Sequence, residues 1–291
     1  MTQSSAFWES RTVIATREAM TLRHQKRWGV TFDELPAPPS CAPDLADDFT
    51  GPALREDLWI DHYLPHWSTP ERSRARYDLD GDGLRLRIDA DQPDWRPEDA
   101  PLRVSNVQTG DFCGAAGADR GTHRHRPDGL TVRTPGTTRL LWTPSAGRVD
   151  VTVTATADPG AMLAVWLVGS EHRDPRDSGE ICVFEIDAEA VGGDATTARI
   201  GIKAHHDDRL RTDMTEVSVP AGAGRPHTWT AIWGPGGTVI GCEGRVAGRF
   251  AQAPDYPLIL MIDIFETGGR SADAAYPKTA RVHRVRGWDL T

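Results

Sequence analysis

Lysine is nearly missing from this chain. It occurs only at Lys26, Lys203 and Lys278, so arginine supplies almost every other positive charge. The 33 basic residues fall short of the 42 acidic ones, leaving a net charge of −9 with histidine neutral. The arginines are scattered, and a surface of this sign offers no footprint for nucleic acid or an anionic membrane. Cysteine is sparse too. Cys41, Cys113, Cys182 and Cys242 stand far apart with no C-x-x-C pair, which removes zinc and thioredoxin-like readings. One or two disulfides stay open in an oxidising compartment. No apolar run approaches the about 18 residues of a membrane helix. Phe7 and Trp8 are followed at once by Glu9, Arg11, Arg17 and Glu18, so no secretory leader is visible. The expectation is a cytoplasmic protein, or a secreted one whose leader has been removed. Dinucleotide and Gly-x-Ser-x-Gly motifs are missing, and Gly234 to Gly237 lacks the Gly-Lys-Ser/Thr ending of a phosphate loop and reads as a turn.

What the chain does have is 291 residues, enough for one large core, and ten tryptophans against seven phenylalanines. Such an excess suits sugar stacking, although tryptophan is also ordinary core material. Residues 1–45 form an arm: Ser4-Ser5 caps a loose helical pattern through Val13, Ala15, Ala19, Met20 and Leu22, and the Pro-rich stretch 35–40 ends it. From Asp47 onward the pattern is β. Leu84-Arg85-Leu86-Arg87-Ile88 alternates after Asp80-Gly81-Asp82-Gly83, and Arg148 to Thr154 alternates likewise. Further runs cover 161–168, 181–186, 197–204, 228–233, 238–241 and 258–265. Trp229 to Trp233, then Gly234-Pro235-Gly236-Gly237, then Thr238-Val239-Ile240 predicts a hairpin. Many short strands without helical periodicity predict an all-β sandwich or barrel, of jelly-roll size at about 245 residues. The domain division is therefore 1–45 and 46–291.

The chemistry concentrates in Ser178-Gly179-Glu180-Ile181-Cys182-Val183-Phe184-Glu185. Glutamates five apart on a regular strand face opposite sides, and one inserted residue returns them to the same side. Their Cα atoms then stand roughly 13 Å apart. Side chains leaning together can reach the about 5 Å carboxyl separation of a retaining glycosidase. Like charges that close predict one raised pKa.

With these residues the chain resembles glycoside hydrolase family 16, the laminarinase and lichenase group with a concanavalin-like jelly roll. Asp47-Asp48-Phe49-Thr50-Gly51-Pro52 with Trp59 is similar to its opening strand. Trp166-Leu167 ahead of Gly179-Glu180-Ile181 is similar to its Trp-rich strand and the catalytic strand. His227-Thr228-Trp229-Thr230 with Trp233, Tyr256-Pro257-Leu258-Ile259-Leu260, and Val282 to Trp288 follow in order. The resemblance implies a retaining endo-glycosidase acting on β-glucan or a related glycan in an open cleft, with Glu180 as nucleophile and Glu185 as acid/base. The family motif is Glu-x-Asp-x-x-Glu, and Cys182 replaces its aspartate, which predicts slowed or lost hydrolysis because a neutral thiol cannot supply the charge. A second register, Glu185-Ile186-Asp187-Ala188-Glu189, matches the unbulged form with all three acids; Ser178-Gly179 and the distance from Trp166 favour the first.

Other residues have competing readings. Trp67 and Trp166 suit a sugar platform or the core, and Gln108 suits a polar contact at the cleft mouth. His205 and His206 point to opposite strand faces and cannot easily share an ion, so one of them, His205, is expected at the cleft. His123 and His125 with Arg124 and Arg126 read as a solvated loop. Asp78 to Asp89 mimics a calcium loop but reads better as an Asp-Gly hairpin. No cofactor or metal is expected; members of the resembled family sometimes carry a structural calcium, which nothing here specifies. The expected partner is a carbohydrate or small molecule, not nucleic acid or membrane. Two rivals stay open: a lectin-like module of the same fold, and an intracellular enzyme that reuses the cleft for another small-molecule reaction.

Overall fold

The computed structural model describes residues 33–126, 129–268 and 274–291. The helical pattern expected near Ser4 to Leu22 lies outside them. Sixteen strands are present among the described residues: β1 (Leu45–Asp47), β2 (Arg76–Leu79), β3 (Leu84–Ile88), β4 (Arg103–Gln108), β5 (Gly110–Asp111), β6 (Arg139–Leu140), β7 (Gly147–Thr154), β8 (Ala161–Gly169), β9 (Glu180–Asp187), β10 (Thr196–Lys203), β11 (Asp213–Val219), β12 (His227–Gly234), β13 (Gly237–Cys242), β14 (Arg245–Phe250), β15 (Leu258–Glu266) and β16 (Lys278–Asp289). Among the described residues helix is confined to short turns such as Pro70–Ser73, and no helix there is long and apolar enough to cross a membrane.

An eight-stranded antiparallel sheet runs β14-β13-β12-β7-β16-β3-β2, with β1 also on β16, and a six-stranded sheet runs β11-β10-β9-β8-β15-β4. The local sequence dictates the pieces. In β3, Leu84, Leu86 and Ile88 are buried while Arg85 and Arg87 are partly exposed, as a strand with one wet face requires. Gly234 pairs with Gly237 across a two-residue turn. Gly237 has φ +103°, and a Cβ there would sit 2.2 Å from the Phe250 carbonyl oxygen, so only glycine fits. Asp78 to Gly83 closes the β2–β3 hairpin, with Asp78 bound to Arg85 and Asp80 to Arg281.

The two sheets pack face to face over a core that includes Leu86, Val151, Phe184, Trp229, Leu260 and Ile262. A second apolar cluster lies on the other face of the six-stranded sheet. Met162, Trp166, Met261 and Phe265 from β8 and β15 meet Tyr63, Leu64, Trp67 and Trp95 from the connections before β2 and β4. β8 and β15 are therefore buried on both faces, which explains their unbroken apolar sequences. The Pro-rich stretch is irregular and lies against the large sheet: Leu35 donates its N–H to Gly244 and Pro36 accepts from Arg148. The four cysteines are unpaired.

Candidate active site

The second core divides the outer face of the small sheet. Over β8, β15 and β4 it is covered; over β9 and β10 it carries charge. β9 pairs Phe184 with Val165 but Cys182 with Trp166, and pairs Glu185 with Arg199 but Cys182 with Gly201. Val183 is the extra residue of a β-bulge, and Val183 and Phe184 both enter the inter-sheet core. Glu180, Cys182 and Glu185 thereby share the outer face, with one polar atom of each within 4.8 Å of the others. Gly201 sits opposite the bulge at φ +145°, where a Cβ would meet the Asp213 carbonyl oxygen at 2.2 Å.

Cations from β10 face the acids. Lys203 Nζ lies 3.0 Å from Glu180 Oε1 and 2.6 Å from Glu185 Oε1. Arg199 Nε donates to Glu185 Oε2 at 3.0 Å, and Arg199 also binds Asp187. His205 Nε2 lies 2.7 Å from Glu180 Oε2. Burial by itself pushes both glutamates up, but Lys203 with His205 on one side and Arg199 on the other holds each at about 2. The expected raised carboxyl is thus corrected: the ammonium standing between the acids cancels their repulsion. Burial opposes the Lys203 charge, yet the two carboxylates raise its pKa well above the ordinary lysine value. Burial, with Glu185 beside it, pushes the Cys182 thiol up, and its Sγ donates to the Arg199 carbonyl at 3.5 Å.

Several expected contacts lie elsewhere. Trp67 is fully buried and donates its indole N–H to the Thr122 carbonyl, so it fills the second core and offers no platform. Gln108 is fully buried; it accepts from Leu64 N and donates to the Gly110 carbonyl, so it holds loops together. Trp166 is 6% exposed, donates to Asp263, and carries His123 against its ring. Glu189 has left the strand for a 3-10 turn, where it accepts the Gly160 N–H at 2.7 Å. The second register fails for that reason, since β9 ends at Asp187. His123 and His125 are both buried, not solvated: His123 packs on His205 and His125 on Asp99. His205 is at the site, while the more distant His206 binds the Arg124 carbonyl.

Lys203, Arg199 and Asp263 escaped the sequence reading, which places His123 only in a solvated loop. Lys203 had a signal, being one of three lysines, on a strand face set by alternation. Asp263 had none. It is buried against Trp166 and Asn106, and burial pushes its carboxyl well above the usual range. Glu180 itself is only 2% exposed. An open depression of about 420 Å³ lies at the Asp187 end of the strand, lined by Met162, Asp187, Glu189 and Thr267.

The chain matches no protein-family model and no curated protein sequence. Solved structures do share its architecture. A GlcNAcα1-4Gal-releasing endo-β-galactosidase from Clostridium perfringens aligns with a TM-score of 0.73 at 23% identity, over 87% of this chain. The chain spans 65% of that protein's length. SCLam, a non-specific endo-β-1,3(4)-glucanase of family GH16, aligns at 0.60 and 18% identity, over 88% of this chain and 94% of its own. A variant of it was solved with a 1,3-β-D-cellobiosyl-glucose at the active site. The catalytic domain of a laminarinase from Thermotoga petrophila RKU-1 aligns at 0.57 and 13% identity, over 85% and 97%. With two packed antiparallel sheets and these neighbours, the chain has the concanavalin-type jelly-roll fold found in the family 16 endo-glucanases.

Proposed function

We propose that this protein is a retaining glycoside hydrolase acting on a β-linked glucan or a related glycan. The bulge at Val183 carries the reading, because it brings Glu180 and Glu185 onto one face with carboxyl oxygens within 4.8 Å, the spacing of a double-displacement pair. Glu180 Oε attacks the anomeric carbon as Glu185 gives its proton to the departing glycosidic oxygen. Glu185 then takes a proton from water, whose oxygen displaces Glu180 and restores it. Lys203 and Arg199 hold Glu185 ionised. A sugar seated over β9 and β10 must therefore part Lys203 from Glu185 before that proton is in place.

That same ion pair favours a second reading, glycan binding without turnover. A buried Glu180, a bridging Lys203 and a thiol at position 182 suit a site that holds sugar and leaves it whole. The test is product release and binding on β-1,3, β-1,4 and mixed-linkage glucans, using the unaltered chain, Glu180→Gln and Glu185→Gln. Hydrolysis lost in both variants supports the enzyme. Binding in all three with hydrolysis in none supports the binding module. Turnover unchanged in Glu180→Gln removes the assignment.

A further inference from the structure

The opposite side of Glu180 from Lys203 carries a second constellation. His205 Nε2 is 2.7 Å from Glu180 Oε2, and His123 stands ring-to-edge against His205 with centroids 5.0 Å apart. One donor atom from each of His123, Glu180 and His205 lies within 4.8 Å of the other two. His123 is 5% exposed, and its ring is held edge-on between Trp166 and His205. Its position is fixed on three sides: Trp166 packs on the ring at 4.9 Å, Glu171 accepts the neighbouring Arg124 backbone N–H, and Thr122 is tied to Ser170. Both histidines hold positive φ, 53° and 49°, a cost that the surrounding structure must impose.

We propose that His123, Glu180 and His205 form a binding site for one divalent transition-metal ion, zinc being the best match. Two imidazoles and one carboxylate are the ligand set of a three-residue zinc site with an open fourth position for water. Ligand bonds of about 2 Å place donor atoms up to about 4 Å apart across the ion, so the observed cluster closes by shifts of about 1 Å or less. Entry is from solvent on the His205 side, whose side chain is 26% exposed. The neighbouring trio Glu180, Cys182 and Glu185 is a poorer host, because Lys203 already bridges its two carboxylates. The site stands without the glycosidase reading; where both hold, the ion takes the Glu180 carboxylate out of hydrolysis and acts as an inhibitor.

The experiment is titration of metal-free full-length protein with Zn²⁺ by calorimetry, alongside Co²⁺ absorption and thermal unfolding. Expected are one ion per chain, a tetrahedral Co²⁺ spectrum, and a melting temperature that rises with Zn²⁺ concentration. His205→Gln, at the partly exposed ligand, should weaken binding by about 100-fold or more, since losing even an outer partner costs up to that. Histidine ring NMR on the unaltered chain supplies a test that no variant's folding can spoil: the His123 and His205 signals should move with Zn²⁺ while those of His62 and His172 stay. No binding at millimolar Zn²⁺ overturns the site. So does equal loss in His206→Gln, or a thiolate-to-Co²⁺ band that vanishes in Cys182→Ser, which places the ion on the neighbouring trio.

Discussion

Replacing Lys203 with methionine keeps most of the stem's packing and removes the ammonium that joins Glu180 to Glu185. Two buried carboxylates then face each other within 4.8 Å, a repulsion of about 3 kcal/mol at an effective dielectric of about 20. Stripping one partner from a buried ion pair costs about the same, about 3–5 kcal/mol. Lys203→Met is therefore expected to lower the unfolding free energy by about 3 kcal/mol near neutral pH. The pH dependence identifies the cause. With Lys203 present both carboxyls sit at about 2, below their ordinary 4.5. They add stability that is complete above about pH 4.5 and is lost as pH falls toward 2. Without it one carboxyl rises above 4.5 and holds its proton more tightly folded than unfolded. Its contribution is then complete below about pH 4.5 and is lost as pH climbs. The deficit of the variant should shrink by about 1 kcal/mol per pH unit on descending from neutral, to less than half by about pH 4.5. Urea unfolding followed by tryptophan fluorescence measures it, with Lys203→Arg as the charge-keeping control. A deficit equal at both ends of that range refutes Lys203 as the group that keeps the acids ionised.

Further predictions concern groups around the same face. Burial holds the Glu171 carboxyl up at about 8, above its ordinary value, so its stability contribution is complete below about pH 4.5 and is lost as pH rises through about 8. Glu171→Gln should flatten that decline in melting temperature, and a slope unchanged in the variant contradicts it. Deleting Val183 leaves a regular strand that keeps Glu180 and Glu185 on the outer face, for the loss of one buried side chain, about 1–3 kcal/mol by chemical denaturation. Deleting Ile181 instead turns Glu180 into the core and should leave no folded protein by circular dichroism; equal damage from both deletions argues against the bulge. Cys182→Asp adds a third carboxylate beside one Lys203, raises the proton affinity of the group, and should increase β-glucan hydrolysis about tenfold or more. An unchanged rate in a folded variant speaks against the proton as the limiting factor.

Much of the strand architecture could be read residue by residue. Leu84 to Ile88, Arg148 to Thr154 and the hairpin at Pro235-Gly236 lie in β3, β7 and the β12–β13 turn, because alternation and turn chemistry act over a few neighbouring residues. Edge strands were harder. β11 shows mixed exposure along its length, so no apolar rhythm marks it. Trp67, which suits a platform or the core by sequence, fills the core, and Gln108, expected at the cleft mouth, is buried as well. Nothing local reveals that the connections before β2 and β4 fold over β8 and β15 as a second layer.

The sequence by itself set the spacing of Glu180 and Glu185, which a period of two sends to opposite faces; the bulge at Val183 that returns them to one face shows only in how β9 pairs with its neighbours. Tertiary structure decided their charge state and their company. Lys203 and Arg199 arrive through the β9–β10 register, and His123 through a loop far away in the chain. Electrostatic coupling depends on separation through space and on burial, and neither is encoded in the spacing of residues along one strand.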